Sequence, residues 1–468
     1  MQIPILNGIF ADNDANFRTS YPRNLIPVPK EQGISKGYLK PADGIVLFAS
    51  GPGLDRGGHN WRGVLYRVMG TKLVSIDSVG VATVIGDVGG TTQFCNFDHS
   101  FDRLAIASAG NLFYFDGTTL TQVTDPDLGT CVSFKWVDGY FFTTDGTHLI
   151  VTELSDPFSI NPLKYGSAET NPDSVKAVLK VRNEVCAVGR YTIETFDNIG
   201  GSLFPFQRLP SAQVTRGAIG SNAACNFTVT NYDGIAFIGG KEKEAPSVWF
   251  AANGTTTYFS TAEVDKILQQ YTEAQLSQAV LESRVDRNHA FLYMHLPDQT
   301  LVYDPNASAI AQEPVWFVLT SSIVGNGTYR ARGIVWCYDK WISGDPTSAK
   351  AGYFSDTVSS HYEVVNGWEF GTAIVYNESK NAIFHELELV VITGAFDVSK
   401  NPTISTAYSN DGITWSQEKT RSAGKPGQRL NWLGQGMLKD RRIQRFRGTS
   451  DAHISIARLE ARIEPLNV

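Results

Sequence analysis

The chain has 468 residues, of which 42% are hydrophobic and 19% are charged, a balance that excludes disorder over most of its length. The length predicts two or three domains. The formal net charge of −7 argues against a chain-wide nucleic-acid footprint, because phosphate binding needs clustered Lys and Arg. The N-terminus lacks a secretory signal pattern, and no stretch approaches the roughly 20 apolar residues of a membrane helix. We therefore expect a soluble protein that is made in a cytosol and has no membrane span.

Residues 1–45 predict an extended N-terminal arm that differs from the rest of the chain. Three prolines fall between residues 22 and 29, where they remove backbone donors and disfavour regular structure. Apolar side chains in the arm are expected to fix it to its own domain or to a neighbouring subunit. The candidate interface residues in the arm are Phe17, Tyr21 and Leu25.

Residues 46–364 predict short strands joined by tight turns. Asp138-Gly139 lies between the apolar runs 134–137 and 140–142, and such dipeptides favour two-residue hairpins because they tolerate positive φ. The hairpins recur roughly every 40 to 50 residues, the spacing of a four-stranded propeller blade. We predict an irregular β-propeller here. Because no clean repeat motif is present, a pair of β-sandwiches stays open as the alternative.

Two further regions depart from this pattern. Ser260–Glu263 and Thr272–Gln275 have capping-box spacing and predict short helices between residues 260 and 284. In the last hundred residues, 384–392 and 454–463 alternate as half-exposed strands do, which predicts a small β-sandwich over 365–468. The predicted fold class is all-β: an irregular β-propeller followed by a small C-terminal β-sandwich, with one short helical insertion.

Sequence signatures of catalysis and of metal binding are missing. The five cysteines include no CxxC pair and predict buried free thiols, and the eight histidines include no HxH or HExxH pair. Neither GxSxG nor a P-loop occurs. The segment 409–415 is similar to the Asp-box turn of sialidase-type propellers, but it is one residue shorter, and we interpret it as a structural turn. No catalytic residue, cofactor or metal ligand is predicted.

Two groups of charged residues allow a functional interpretation. Glycoside hydrolysis needs two carboxyl groups that face each other across the sugar. Four acidic residues near strand ends are candidates: Glu153, Glu184, Glu194 and Asp197. The sequence alone does not show that any two of them converge. The segment 439–447 has five cations in nine residues. It is either a solvated strand edge or a docking face for an acidic partner or DNA phosphates. Its candidate interface residues are Arg441, Arg442 and Arg445.

An ordered series of segments resembles one family along nearly the whole chain. Gly37-Tyr38-Leu39 with Asp43-Gly44-Ile45 is followed by Ala245-Pro246-Ser247-Val248-Trp249 before the helices, and then by His295-Leu296-Pro297 with Leu301-Val302-Tyr303-Asp304. In this order the segments resemble the packaged DNA stabilization proteins, the tail hub or nozzle proteins of short-tailed podovirus phages. No single segment is specific, but the ordered series is.

The resemblance implies a structural virion protein and not an enzyme. It implies a homo-hexamer in the virion tail, assembled in the host bacterial cytoplasm, that closes the portal channel and retains packaged DNA. Its implied partners are portal or adaptor proteins, the tail needle and the tailspike, with double-stranded DNA passing through the channel without sequence-specific binding. The alternative is a carbohydrate-binding or glycan-hydrolysing β-propeller, which the missing secretion signal and the absence of repeated Asp boxes disfavour.

Overall fold

Strands dominate the computed structural model, which describes residues 1–6, 21–30, 35–154, 156–229, 232–393, 402–411, 414–423, 429–450 and 453–466. The strands, in chain order, are β1 Gln2–Ile3, β2 Leu25–Pro29, β3 Gly37–Pro41, β4 Gly44–Ser50, β5 Asp55–Trp61, β6 Val64–Met69, β7 Lys72–Ile76, β8 Ala82–Asp87, β9 Asn96–His99, β10 Leu104–Ser108, β11 Asn111–Phe115, β12 Leu120–Gln122, β13 Ser133–Val137, β14 Tyr140–Thr144, β15 Leu149–Val151, β16 Val175–Val181, β17 Glu184–Gly189, β18 Ile193–Asn198, β19 Phe206–Arg208, β20 Gly217–Ala218, β21 Ala224–Val229, β22 Tyr232–Gly240, β23 Ser247–Ala252, β24 Thr255–Tyr258, β25 Val280–Asp286, β26 His289–His295, β27 Thr300–Tyr303, β28 Trp316–Leu319, β29 Arg332–Cys337, β30 Lys340–Gly344, β31 Lys350–Ser355, β32 Gly367–Gly371, β33 Val375–Thr393, β34 Thr403–Ser409, β35 Lys419–Ser422, β36 Leu430–Leu433, β37 Met437–Thr449 and β38 Ile454–Pro465. The α-helices of the described residues are α1 Ala262–Leu268, α2 Glu273–Leu276 and α3 Pro305–Ala311. Three single 3-10 turns are Pro126–Leu128, Pro162–Lys164 and Pro210–Ala212. The prediction of an all-β chain is confirmed.

The chain divides into two compact units. The propeller unit comprises Leu47–Pro297 and Arg330–Tyr353, and the sandwich unit comprises Met1–Val46, Asp298–Tyr329 and Phe354–Val468. This division differs from the predicted limits of 1–45 for the arm, 46–364 for the propeller and 365–468 for the sandwich. Those domain limits stay a prediction.

Among the described residues, seven antiparallel sheets have their inner strands in the propeller unit. One strand of each sheet contacts both neighbouring sheets. We call these the inner strands, and they are β5, β9, β13, β16, β21, β25 and β29. Each inner strand contacts the inner strand of the next sheet, and β29 contacts β5. The sheets therefore form a closed ring, which excludes the pair of β-sandwiches left open by the sequence.

The last sheet of the ring takes its fourth strand, β4, from the N-terminal part of the chain. Its strand order is β29-β30-β31-β4, so residues 47–50 of β4 lie beside β31 although 300 residues separate them in the chain. Ala49 and Ala351 share one buried cluster with Leu65 and Ile342, which belong to the first and last sheets. This strand therefore helps to close the ring.

Tight turns and aromatic side chains explain how the sequence builds these sheets. Asp138 and Gly139 have φ of 49° and 92°, which gives β13 and β14 the two-residue turn that the sequence predicted. Between the first two sheets, Trp61, Tyr66 and Phe115 pack with ring centroids 5.7 to 6.1 Å apart. Aromatic rings thus fill the wedge between neighbouring sheets.

The sandwich unit is built around two long strands, β33 and β38, which pair antiparallel over most of their length. They lie at the centre of a sheet with the order β2-β3-β38-β33-β37-β34-β35, and β1, β32 and β36 pair alongside. Phe384 and Leu387 are both buried although they are three residues apart. A bulge between Phe384 and Glu386 shifts the register and turns both side chains into the core. The strict alternation that we read from the sequence is therefore interrupted at this point.

The N-terminal region corrects the expectation that prolines prevent regular structure. Leu25–Pro29 forms strand β2, which pairs with β3 at one end of the sheet. Backbone hydrogen bonds at Asn24 and Lys30 place Pro27 and Pro29 at positions that donate none to β3. An edge strand tolerates proline at such positions, because the missing N–H would face away from the sheet.

The helical insertion is present, but it is shorter than residues 260–284. Thr272 and Gln275 form the predicted capping box of α2. Helix α1 is capped by Thr261 and not by Ser260, whose hydroxyl accepts a hydrogen bond from the Val248 N–H. Val280 and Leu281, which the sequence had placed in the second helix, begin strand β25. The apolar spacing there is short enough to fit either structure.

Candidate functional site

The inner strands of the propeller unit surround a cavity of about 310 Å³. Most of its lining is apolar or uncharged, and the charged side chains among the lining residues are those of Lys135 and Glu282. This volume is at the lower end of the range for small-molecule pockets, about 300–1,000 Å³. The cavity therefore has the size of a small-molecule pocket.

Glu282 is tied to neighbouring groups at this cavity. Its carboxylate accepts the backbone N–H groups of Gly333 at 2.8 Å and Ile334 at 2.6 Å, and it lies 3.1 Å from the His295 ring. Burial acts to raise the pKa of Glu282, but the His295 ring and the two amides hold it below its usual value. These hydrogen bonds join β25 to β29, so the carboxylate holds two neighbouring sheets of the ring together.

The basic strand β37 belongs to the sandwich unit, and its arginines are largely engaged within that unit. Arg447 lies 2.7 Å and Arg445 3.5 Å from the Glu418 carboxylate, and the Arg445 guanidinium also stacks 4.2 Å over the Trp415 ring. Arg441 is half-buried. Arg441 and Arg445 thus keep a partly exposed surface, and their interface role stays a prediction.

Arg442, the third predicted interface residue of this strand, is 1% exposed. Its guanidinium stacks on the rings of Tyr408 and Phe384 at 3.9 and 4.4 Å and donates to the Gln435 carbonyl and the Gln444 side chain. Burial lowers the pKa of Arg442 to about 10. Its cation is part of the core, so its side chain is not on the surface where a partner would dock.

The three predicted residues of the arm have different positions. Leu25 is completely buried in the main core of the sandwich unit, which accounts for its apolar character without a partner. Tyr21 is half-buried at the start of the second described segment. Phe17 lies outside the described residues. An interface role for the arm stays a prediction.

The Asp411 carboxylate stabilises the turn at 409–415, as expected for a structural turn. Asp411 accepts a hydrogen bond from the Thr414 N–H at 2.7 Å and another from the Ser409 hydroxyl at 2.9 Å. Three of the candidate glycosidase carboxylates are in ion pairs: Glu153 with Lys164, Glu184 with Arg182, and Glu194 with Arg208. The fourth, Asp197, is exposed.

One cluster in the propeller unit was missed by the sequence reasoning. The rings of His59 and His99 meet at 2.8 Å although 40 residues separate them, and Asp98 lies beside them. Burial lowers the pKa of His59 to about 4, against the opposing effect of the Asp98 carboxylate. Spacing-based motifs cannot detect such a group, because its members come from two sheets. The sequence analysis assigned neither histidine to a strand, so no local signal pointed to this group.

The architecture is that of a β-propeller joined to a β-sandwich, and comparison with known proteins identifies the family. The chain belongs to the bacteriophage P22 Gp10 family: its β-propeller model matches residues 1–359, and its β-sandwich model matches residues 367–464. The "Tail hub protein gp10" of Salmonella phage P22 is 27% identical over 489 residues, covering 99% of each chain. The predicted family, the predicted fold class and the location in the phage tail are confirmed.

Two solved structures share distant similarity with the chain. One is PorZ, a surface component of the type-IX secretion system of Porphyromonas gingivalis, with 12% identity, a TM-score of 0.40, and coverage of 66% of this chain and 37% of that chain. The other is the N-terminal domain of Nup159, with 9% identity, a TM-score of 0.40, and coverage of 72% and 100%. Neither similarity bears on function. In the part of the chain that the structure describes, a membrane-crossing helix is absent.

Proposed function

We propose that the chain is the tail hub subunit of a short-tailed phage, and that a homo-hexameric ring of it closes the portal channel and retains packaged DNA. Full-length similarity to the P22 tail hub protein is the observation that carries this proposal. The ring also serves as the attachment platform for the tail needle and tailspikes, and it binds portal or adaptor proteins on its other side. The role is structural and needs no catalytic residue.

A ring of identical subunits fits this role on physical grounds. Cyclic symmetry closes an assembly around an axis without leaving open edges, so the hub can match the axis of a portal. In such a ring the DNA channel lies along the shared axis, between the subunits. The net charge of −7 suits a wall along which DNA slides, because few clustered cations are available to hold phosphates.

The decisive experiment is to produce virions without this protein and to measure the genome they retain. We expect heads that package DNA and then lose it, because nothing opposes the internal pressure once packaging ends. Supplying the wild-type protein in trans should restore DNA retention and infectivity. Stable, full and infectious particles without the protein would overturn the proposal and favour the carbohydrate-binding alternative.

The proposed interface has its own test. Replacing Tyr21, Arg441 and Arg445 together by Ala should weaken assembly onto purified portal complexes and leave the melting temperature of the chain nearly unchanged. Arg429→Ala is the matched control, because it removes an exposed arginine paired with Glu388 in the same unit. Normal assembly by the triple variant would remove these residues from the interface, and the hub function would still be decided by the virion experiment.

A further inference from the structure

His59 and His99 bring two imidazoles together beside the central cavity of the propeller unit. His59 lies on β5 and His99 on β9, the inner strands of two neighbouring sheets. The Nε2 atom of His59 is 2.8 Å from the Nδ1 atom of His99. One ligand atom from each of His59, His99 and Asp98 lies within 4.8 Å of the other two.

We propose that His59, His99 and Asp98 form a binding site for a divalent transition-metal ion, with Zn²⁺ as the preferred occupant. Two imidazoles and a carboxylate are ligands that Zn²⁺ accepts, and three protein ligands leave a fourth position for water. Zn–N bonds of about 2.0–2.1 Å in a tetrahedron hold two nitrogens roughly 3.3 Å apart. The two nitrogens therefore have to separate by about half an ångström, and the His99 ring has to turn so that both lone pairs face the ion. His99 is exposed and has room to do so.

The surrounding groups orient two of the three ligands in advance. The Asp98 carboxylate accepts the Trp136 N–H at 2.8 Å through one oxygen and the His99 N–H at 2.9 Å through the other. The His59 ring stacks parallel to Phe97, with an interplanar angle of 3°. Outer contacts of this kind fix the direction of metal ligands and are part of a functioning site.

A metal ion at this position would join two neighbouring sheets of the propeller. Asp98 also receives its hydrogen bond from Trp136 on β13, so the site involves the first three sheets of the ring. Binding to the folded chain alone stabilises it by mass action. The ion would thus strengthen the junction, or seam, between the first two sheets of the propeller. Without it, the two histidines form a single hydrogen bond there. Lys135 is the neighbouring positive charge, and it donates to the Phe97 carbonyl at 3.3 Å. The Asp98 carboxylate offsets this charge.

The test uses the full-length protein after treatment with a chelator. Titration calorimetry with ZnCl₂ should give one site per chain, and Co²⁺ should produce the visible absorption of a site with nitrogen and oxygen ligands. His99→Gln, at the exposed ligand, and Asp98→Asn should each weaken Zn²⁺ binding at least about tenfold, since even outer-shell changes cost 10–100-fold. Added Zn²⁺ should raise the melting temperature of the wild type and not that of His99→Gln.

His148→Gln is the matched control. His148 is also an exposed histidine beside a carboxylate, with its Nδ1 atom 3.0 Å from Asp145. Among the described residues, however, it belongs to no group of three possible metal ligands. Its loss should leave Zn²⁺ binding unchanged. A wild-type chain that binds neither Zn²⁺ nor Co²⁺ stoichiometrically would overturn the proposal and leave an ordinary His–His hydrogen bond. Equal weakening in His148→Gln and His99→Gln would also overturn it, by showing scattered surface binding.

Discussion

Replacing Arg67 by Met is the strongest test of how the propeller ring closes. Arg67 lies on β6 in the first sheet and is 0% exposed. Its guanidinium binds the Asp55 carboxylate through two bonds of 2.5 and 2.7 Å, and it donates to the backbone carbonyls of Gly333 at 3.0 Å and Arg332 at 3.2 Å. Those carbonyls belong to or adjoin β29 in the last sheet. The side chain therefore spans the seam between the last and first sheets.

The expected cost follows from the burial of Asp55. Removing one partner of a buried ion pair leaves an uncompensated charge and costs about 3–5 kcal/mol. Arg67→Met combined with Asp55→Asn removes that charge and leaves mainly unsatisfied carbonyl groups, at about 1–3 kcal/mol. Burial already raises the pKa of Asp55, with Arg67 opposing it. Without Arg67 the pKa rises further, so the loss of stability should shrink as the pH falls and the carboxyl group becomes protonated.

Thermal unfolding followed by circular dichroism measures these differences. Arg67→Met should lower the melting temperature by roughly 5–9 °C, and the double variant should recover part of the loss. Lys72→Met is the control, because it breaks the exposed Lys72–Asp87 pair of the same sheet, worth less than about 1 kcal/mol. If Arg67→Met melts like the control, or if the double variant is no more stable than the single one, the buried pair does not hold this seam.

Three further changes test other parts of the fold. Gly344→Ala should destabilise the chain about as much as Arg67→Met, because the added Cβ would lie 1.8 Å from the Asp55 Cγ. The denaturant midpoints of the two variants compare these losses. Asp345→Asn should cost stability at neutral pH, because hydrogen bonds hold the pKa of Asp345 below its usual value against the effect of burial. The difference should begin to shrink as pH falls to about 3.8 and be lost as pH falls through the lower pKa of the folded state, which melting curves across pH measure. Trp432→Ala should cost about 3–5 kcal/mol in a urea titration, because the ring is 1% exposed and packs on Phe446.

Local signals carried most of the fold prediction. Turn dipeptides such as Asp138-Gly139 and the capping box at Thr272 depend on residues a few positions apart, and both are where the sequence placed them. The apolar run at Val280 was assigned to the wrong element, because a short apolar segment fits a helix or a strand equally well. The prolines of β2 were wrongly taken to prevent a strand. Whether a strand tolerates proline depends on whether it lies at the edge of its sheet, which the sequence does not show.

The candidate sites were harder to predict, because they depend on which distant residues meet. The basic segment 439–447 was recognised, but burial of Arg442 between two aromatic rings was not, since its partners Tyr408 and Phe384 lie on other strands. Glu418, which pairs with Arg445 and Arg447, lies about 30 residues away. Charge density along a chain therefore overstates the charge that a folded surface presents to a partner.

The seams between sheets show why this propeller lacks a repeat motif. Between the first two sheets, Arg56 is completely buried and donates to the carbonyls of Gln93, Gly70 and Gly89 and to the hydroxyl of Ser108. Between the last sheet and the first, Arg67 joins a carboxylate to two carbonyls. Two seams of one ring thus use the same residue type with different partners. Because these two junctions differ in their polar contacts, the hairpin spacing can recur along the chain although the residues that join the sheets do not.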